Sequence, residues 1–552
     1  MKKILLAVIA LLSFVTGSEA CTNMIVGKKA SADGSVLVSY NNDAYGFCGY
    51  LRHYPAASYP KGSMLDVYNI GSSGNFLGRI PQVEHTYNVV GNINENQVFI
   101  GETTFTGRPE LRDSTGIIDY GSLMYIALQR SKTAREAIQV MTNLVKDHGY
   151  ESTGETFTIA DKNEAWIMEM IGKGPGSKGA VWVAVRIPDD CICAHANQSR
   201  IHTFPLNNPE NCLYSPDVIS FARQKGYFNG QDKDFDFCKA YDPIDFGGMR
   251  FCEARVWSFF RKYDSSIDNY LDYAEGKNPE HVMPLYIKPN RKLSVQDIEA
   301  ANRDHYENTP LDNTKDCTAG PYETPYRPSP LTYTVDGKKY FNERFISTPQ
   351  TAMTQVAQMR SDLPDAIGGI LWFGLDDASM TAYTPVYCCT TTVPDCYAEK
   401  NATSLKFNWK SSFWVYNWVA EMVYPRYSQM IEDVVKGRNK IEKDFFDKQQ
   451  STEKQALELY NSTPDKAKEF LTNYSVNSAM NTLEEWKKLG AFLIVRYNDQ
   501  TVRPVDKNGH FTRTQYGLGS RVTRVGYPEQ YTKFMLQQTG DRYLVPGQED
   551  KK

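Results

Sequence analysis

The sequence has few histidines and none of the short motifs that mark nucleotide sites or zinc proteases. Only eight of its 552 residues are histidine, which leaves little material for a metal site. No Gly-x-Gly-x-x-Gly after a strand, no phosphate-binding loop and no His-Glu-x-x-His occurs, and there is no internal repeat, heptad run or low-complexity tail. The chain therefore gives no support to a nucleotide-binding enzyme or a zinc protease, and we expect neither metal nor cofactor.

Basic residues are not in excess either. The chain has 61 basic and 65 acidic side chains and a net charge of -4, whereas nucleic-acid binding normally requires clustered Lys and Arg. Hydrophobic residues make up 41% and charged residues 23%, as in ordinary globular proteins. We therefore expect a folded protein without a nucleic-acid partner.

The N-terminus has the layout of a secretory signal peptide. Two lysines precede the apolar run 4–12, and Ser18 and Ala20 stand three and one positions before Cys21. The run is well short of the ~20 apolar residues that span a bilayer, and no later segment is long enough. We predict a signal peptide over residues 1–20, cleavage between Ala20 and Cys21, export, and no transmembrane segment in the mature protein.

Lipid attachment to Cys21 is the alternative meaning of a cysteine after a signal peptide. Bacterial lipoprotein sites usually have Leu three positions before the cysteine and small residues between. Ser18 and Glu19 fit that pattern poorly. Lipid anchoring is therefore the less favoured prediction.

The chain has eleven cysteines, an odd number. In an exported protein we expect pairing, with one reactive thiol left over, and Cys21 is the natural candidate for it. The alternative is that several cysteines stay reduced and buried. The pairing prediction concerns Cys48, Cys191, Cys193, Cys212, Cys238, Cys252, Cys317, Cys388, Cys389 and Cys396.

Alternation and turn residues predict a largely antiparallel N-terminal part. Short strands are expected over 22–26 and 36–40, and a helix after the capping pair Thr133 and Glu136, ending near His148. Further strands are expected in the segments 156–160, 165–170, 181–187, 191–196 and 367–373, the first four as a meander.

The C-terminal part has a helical pattern. It begins near Ser411, with Pro425 ending or kinking one helix and Thr463-Pro464 starting another. The segment 310–342, rich in Pro, Tyr and Thr, is expected to run over the surface. We predict an α+β fold with a two-sheet core over residues 21–400 and a mainly helical region over 401–552.

A free N-terminal Cys21 would carry its own catalytic base. The α-amino group has a reference pKa near ~7.7–8, so much of it is neutral near neutral pH and can take the thiol proton. Acyl transfer also needs hydrogen-bond donors for the developing oxyanion and a positive group that favours the thiolate.

Several stretches resemble one family. In their order and spacing they are similar to the mature cysteine dipeptidases of the N-terminal-nucleophile hydrolase superfamily, relatives of penicillin V acylases and bile-salt hydrolases. The resemblance spans residues 21 to 497 and rests on Cys21-Thr22-Asn23-Met24-Ile25-Val26-Gly27, Ala32-Asp33-Gly34-Ser35, Gly101-Glu102-Thr103-Thr104, Thr133-Ala134-Arg135-Glu136-Ala137, Ala196-Asn197-Gln198 and Phe413-Trp414-Val415-Tyr416-Asn417.

The resemblance implies a four-layer α-β-β-α sandwich with a helical C-terminal extension, and it implies roles for four residues. Cys21 would be the nucleophile, Asp43 would orient its amine, Asn197 would donate to the oxyanion, and Arg255 would lie near the nucleophile. One departure is Tyr40, where many relatives have an arginine. This leaves open how the thiolate is stabilised and how the substrate carboxylate is held.

Glu102 and Thr103 are the predicted substrate-binding residues, with Glu102 a candidate for a substrate ammonium or simply a solvent-facing acid. Structural alternatives exist for the others too, because Asp43 lies in a turn-like Asn-Asn-Asp, Asn197 can cap a strand end, and helical arginines such as Arg255 often form surface ion pairs.

His195 offers a competing mechanism. It shares an alternating strand face with Cys191 and Cys193, so a papain-like pair with Cys21 or a metal site is conceivable. Zinc sites usually need more ligands at set spacing, and a structural His195 is favoured.

Taken together, the residues and the resemblance predict an exported cysteine dipeptidase that cleaves a dipeptide or small amide through a thioester on Cys21. The alternatives are an acylase acting on penicillin-like or conjugated amides, and a non-catalytic exported binding protein or lipoprotein.

Overall fold

The computed structural model describes residues 21–514, 519–520 and 522–547. The predicted signal peptide lies outside the described residues, and its cleavage stays a prediction. The fold is a mixture of antiparallel sheets and helices, with the longest helices near the C-terminus, as the α+β prediction requires.

Most of the strands fall in the first 400 residues. They are β1 (Thr22–Val26), β2 (Val36–Asp43), β3 (His53–Tyr54), β4 (Ala57–Ser58), β5 (Met64–Tyr68), β6 (Phe76–Pro81), β7 (His85–Thr86), β8 (Val89–Val90), β9 (Ile93–Asn94), β10 (Phe99–Thr106), β11 (Gly154–Ala160), β12 (Ala165–Gly172), β13 (Ala180–Ile187), β14 (Ile192–His195), β15 (Cys212–Tyr214), β16 (Tyr286–Ile287), β17 (Thr332–Val335), β18 (Lys338–Phe341), β19 (Thr351–Met359), β20 (Ile370–Leu375) and β21 (Thr384–Tyr387). The α-helices are α1 (Tyr120–Arg130), α2 (Ala134–His148), α3 (Val218–Gln224), α4 (Phe237–Tyr241), α5 (Ala254–Arg261), α6 (Leu271–Ala274), α7 (Val295–Asn302), α8 (Asp365–Gly368), α9 (Ser412–Val423), α10 (Tyr427–Ser462), α11 (Pro464–Arg496) and α12 (Glu529–Thr539).

Two large antiparallel sheets form the centre of the molecule. One has seven strands in the order β16-β14-β1-β2-β19-β20-β21, and the other has eight in the order β15-β13-β12-β11-β10-β9-β8-β3. Ile25 and Val38 of the first sheet share a buried apolar cluster with Phe99 and Ile167 of the second. Cys21 immediately precedes β1, so it enters the structure near the middle of the seven-stranded sheet.

Alternation along the strands decides which side chains face which core. Ile25 packs between the sheets, whereas its neighbour Met24 belongs to a cluster with Trp257 of α5 and Ile298 of α7. On the other sheet, α1 and α2 supply apolar residues to a third cluster. The two sheets therefore bury apolar side chains on both of their faces.

The C-terminal helices pack on the sheets and share their clusters. Pro425 falls in a tight turn (Tyr424–Arg426) between α9 and α10, and α11 begins at Pro464, both as predicted. Leu483 and Trp486 of α11 belong to the cluster that lies between the sheets. The domain boundary at residue 400 stays a prediction. Across the part of the chain that the structure describes, none of the helices is both long and apolar enough to cross a membrane.

The predicted four-stranded meander is wrong in its last member. β11, β12 and β13 pair in sequence, but β14 leaves them and pairs with β1 in the seven-stranded sheet. The pattern could not reveal this, because strands of either sheet are buried on both faces and look alike. The strand expected over 367–373 begins at Ile370, after the short helix α8.

The predicted cysteine pairing is also wrong, since no disulfide links any of the eleven cysteines within the described residues, and nine of them are buried. Seven of them lie in the large cluster between the sheets without pairing, and Cys389 lies in another cluster. Even the adjacent Cys388 and Cys389 point into different apolar clusters, as strand-like alternation requires. The segment 310–342 does run largely over the surface, where β17 and β18 form a fully exposed hairpin.

Candidate active site

The surroundings of Cys21 are set by the pairing of β1 with β2. Thr22 lies opposite Asn41, which places Asn42 beside Cys21. Because alternate residues of a strand share a face, Tyr40 and Asn42 point together, and the Asn42 amide nitrogen donates to the Tyr40 hydroxyl at 2.7 Å.

A carboxylate, not an imidazole, is the ionisable group found at the Cys21 thiol. Cys21 Sγ lies 3.5 Å from Glu102 Oε1, and the Tyr40 hydroxyl donates to the same oxygen at 2.5 Å. The Asn42 amide nitrogen is 4.0 Å from Sγ. Cys21 and Glu102 are both fully buried. A thiol next to a carboxylate favours the protonated S–H form, which can donate to the oxygen.

Burial raises the pKa of Glu102, while hydrogen bonds from Tyr40, Glu155 and Cys21 oppose that shift. A hydrogen bond between the carboxyl groups of Glu102 and Glu155 requires a proton on one of them. Burial and the charge of Glu102 raise the pKa of Tyr40 well above its usual value, so the phenol stays a donor. The structure therefore places a buried acidic pair directly behind the thiol.

Arg255 lies near the nucleophile, where the resemblance placed it, and it binds the main chain there. Its Nη1 donates to the Cys21 carbonyl oxygen at 2.6 Å and to Thr22 Oγ1 at 2.7 Å. Its Nη2 donates to the Ala196 carbonyl oxygen at 3.0 Å and to Asn197 Oδ1 at 2.9 Å. Burial lowers the pKa of Arg255, but a guanidinium remains charged in proteins. One buried cation thus holds the chain at Cys21 next to Asn197.

Asn197 follows β14 with a left-handed φ of 62°, which asparagine tolerates better than most residues. Its amide nitrogen donates to the Thr104 carbonyl oxygen at 2.8 Å. An amide nitrogen carries two N–H donors, so donation to an oxyanion is compatible with this contact. Its role at the oxyanion stays a prediction.

Asp43, at the end of β2, is fully buried and ion-paired with Arg344. Arg344 Nη2 donates to Asp43 Oδ2 at 2.5 Å, and Thr351 Oγ1 donates to Oδ1 at 2.6 Å. Burial raises the pKa of Asp43, and Arg344 opposes that shift. Sequence reasoning missed Arg344 entirely, and the proposed contact of Asp43 with the Cys21 amine stays a prediction.

His195 is a structural residue between the two sheets. Its Nδ1 is 2.7 Å from Thr103 Oγ1 and its Nε2 is 2.7 Å from Thr158 Oγ1. Burial lowers the pKa of His195 to about 3, so the ring is neutral. Both nitrogens face threonine hydroxyls, which gives no support to a papain-like pair with Cys21.

The same contacts bear on two other predictions. Thr103, a predicted substrate-binding residue, is fully buried and its hydroxyl binds His195, so its side chain has a structural contact. Within the described ranges no three His, Cys, Asp or Glu side chains are grouped to hold a metal ion. The metal alternative at His195 therefore gains nothing from the geometry.

A cavity of about 400 Å³ opens beside Tyr40 and Asn42. Tyr50, Arg52 and Tyr125 are among the residues that line its wall. Sequence reasoning missed Asn42 and Arg52 and noted Tyr40 only as a departure from relatives. The two-residue spacing of Tyr40 and Asn42 on a predicted strand was the signal that could have linked them.

Comparison with known proteins shows the family to which the chain belongs. The model of Peptidase family C69 matches residues 20–50 and 48–440. The chain is 27% identical to a "Probable dipeptidase" of Salmonella dublin over 67% of this chain and 81% of that protein. It is 26% identical both to a "Probable dipeptidase" of Latilactobacillus sakei, over 74% and 82% of the two chains, and to "Dipeptidase A" of Lactobacillus helveticus, over 73% and 81%. The chain therefore belongs to peptidase family C69.

Proposed function

We propose that this peptidase is an exported cysteine dipeptidase whose nucleophile, Cys21, becomes N-terminal when a signal peptide is removed after Ala20. The observation that carries the proposal is the buried Cys21 thiol, held beside Glu102 and next to a small cavity. The relatives named as dipeptidases support the substrate class. The small-x-small pattern before Cys21 supports cleavage and export.

In the proposed reaction the neutral amine of Cys21 takes the thiol proton, and Sγ attacks the carbonyl carbon of the dipeptide. The carbonyl oxygen becomes an oxyanion, for which the amide nitrogens of Asn42 and Asn197 are candidate donors. Collapse breaks the C–N bond, and the leaving amino group takes the proton from the Cys21 ammonium. Water then hydrolyses the thioester, releasing the first amino acid and restoring the thiol.

Access to the thiol requires a local rearrangement. Tyr40 and Asn42 lie between the fully buried Cys21 and the cavity, and they hydrogen-bond to each other. The Asn42 amide nitrogen carries two N–H donors, so it can donate to a substrate carbonyl as well as to Tyr40.

We further propose that the fold is the four-layer α-β-β-α sandwich of N-terminal-nucleophile hydrolases. Its support is the pair of face-to-face antiparallel sheets with apolar clusters on their outer faces. Cys21 at the start of a central strand supports the same arrangement.

Glu102 is the proposed partner of the substrate ammonium. Asp43 is paired with Arg344, which leaves Glu102 as the acid closest to the thiol. A blocked amine would leave the buried acid without its cation, and loss of one partner of a buried ion pair costs about 3–5 kcal/mol. N-acetylation of a good dipeptide substrate is therefore expected to lower the rate several hundredfold or more, and Glu102→Gln is expected to weaken that discrimination.

The test compares a dipeptide, its N-acetyl form and a penicillin-type amide with the wild type, Cys21→Ala and the control Cys317→Ala. Cys317 is an exposed cysteine far along the chain, so its loss should leave turnover unchanged. Cys21→Ala is expected to reduce hydrolysis to background while the protein still folds. Equal or faster hydrolysis of the two blocked substrates would replace the dipeptidase with the acylase, and turnover by Cys21→Ala would remove the mechanism. Intact mass of exported protein tests the start at Cys21, and an acylated species would indicate a lipoprotein.

A further inference from the structure

The wall of the cavity beside the thiol contains the charged residue Arg52. Among the other described residues that line the cavity, none is acidic or basic. The remaining wall is formed by glycines, amides, a serine, aromatic rings and small or apolar side chains. A small ligand that enters this space therefore meets one fixed positive charge.

Tyrosines, not carboxylates, surround the guanidinium of Arg52. Its Cζ lies 5.1 Å from the ring centre of Tyr50 and 5.2 Å from that of Tyr125, and Nη1 donates to the Tyr54 hydroxyl at 3.5 Å. Among the ion pairs of residues 21–514, 519–520 and 522–547, Arg52 has no acidic partner. Aromatic faces hold a guanidinium in place but leave its donors available to an anion.

An acidic residue lies behind the wall of the same cavity. Tyr40 lines the cavity and donates to the buried Glu102 behind it, next to Cys21 Sγ. A dipeptide has its ammonium on one residue and its carboxylate on the next, and the two groups are about 7 Å apart at full extension. A cavity of about 400 Å³ suits such a small zwitterion.

We propose that Arg52 binds the free C-terminal carboxylate of the substrate and so restricts the enzyme to dipeptides, an inference that rests on the proposed function. A planar guanidinium binds a carboxylate through two parallel hydrogen bonds, which fixes position as well as charge. With the ammonium at Glu102 and the carboxylate at Arg52, one scissile bond lies between them. A longer peptide would have to place a neutral amide at the arginine. Arg52 thus binds the substrate carboxylate, which Tyr40 cannot do through an ion pair because a neutral phenol carries no positive charge.

The experiment measures kcat/KM on a dipeptide and on its C-terminal amide. The proteins are the wild type, Arg52→Met, Arg52→Lys and the control Arg79→Met, which removes an exposed arginine that pairs with Asp66 on another sheet. Arg52→Met is expected to lower kcat/KM on the dipeptide roughly ten- to hundredfold, mainly through KM, with a much smaller loss on the amide. Arg52→Lys should give a kcat/KM on the dipeptide between those of the wild type and Arg52→Met, because lysine keeps the positive charge but lacks the planar guanidinium that forms two parallel hydrogen bonds. Arg79→Met should leave the ratio of the two substrates unchanged.

The two proposals fail in different ways. If the wild type cleaves the dipeptide and its amide equally well, or if Arg52→Met lowers both rates equally, Arg52 has no role at the carboxylate and the dipeptidase function stands. If the wild type cleaves no dipeptide, both proposals are overturned. Thermal unfolding shows whether Arg52→Met is folded, and where it is not, the substrate ratio of Arg52→Lys decides: an unchanged ratio overturns the inference.

Discussion

The pH dependence of folding stability tests whether His195, which contacts two strands of the opposite sheet, is neutral in the folded protein. The ring is fully buried with both nitrogens 2.7 Å from threonine hydroxyls, and burial together with the charges of Arg200 and Arg255 keeps it neutral. Its pKa falls from the usual 6.5 to about 3. The unfolded chain therefore binds a proton below pH 6.5 that the folded chain does not, and folding stability is full above this pH and falls as the pH drops.

The size of the effect follows from the shift. Each pH unit between the two pKa values costs about 1.4 kcal/mol, so lowering the pH from 7 to 5 removes about 2 kcal/mol of the free energy of unfolding. We expect urea unfolding at these two pH values to show this loss in the wild type beyond that in His195→Gln. Glutamine keeps a donor and an acceptor but does not titrate, and carboxylates common to both proteins cancel in the comparison.

Equal pH dependence in the two proteins would refute the reasoning, because it would mean that His195 titrates as it does in the unfolded chain. Activity at pH 7 supplies an independent check. His195→Gln is expected to keep most of its turnover. A folded but inactive variant would return His195 to the catalytic machinery.

Two further predictions concern the buried polar groups around the site. Arg344→Met should lower the free energy of unfolding by about 3–5 kcal/mol, because it leaves the buried Asp43 carboxylate without its partner, and adding Asp43→Asn should recover part of the loss in the same denaturation assay. Asn197→Ala should reduce kcat on a dipeptide about a hundred- to a thousandfold, as for loss of one oxyanion donor. A loss of less than tenfold would assign Asn197 to holding Arg255 and the Thr104 carbonyl oxygen only.

The sequence alone was sufficient for many of the local elements, whereas the nucleophilic role of Cys21 stays a prediction. The strand over 22–26, the helix after Thr133 and the helix start at Pro464 are all observed, because alternation, capping residues and proline act over a few neighbouring residues. Family membership followed from ordered short motifs. These signals are local, and they need no knowledge of what the distant parts of the chain contact.

Only the tertiary structure determined which ionisable side chains contact each other. Glu102 reaches Cys21 across 81 residues, Arg344 reaches Asp43 across 301, and no periodicity encodes either contact. The transfer of β14 to the other sheet and the absence of pairing among the cysteines have the same cause. Strands buried on both faces look alike in sequence, so their partners are selected by long-range packing of the two sheets. The same packing places the Tyr40 hydroxyl between Asn42 and Glu102, where it accepts a hydrogen bond from the first and donates one to the second.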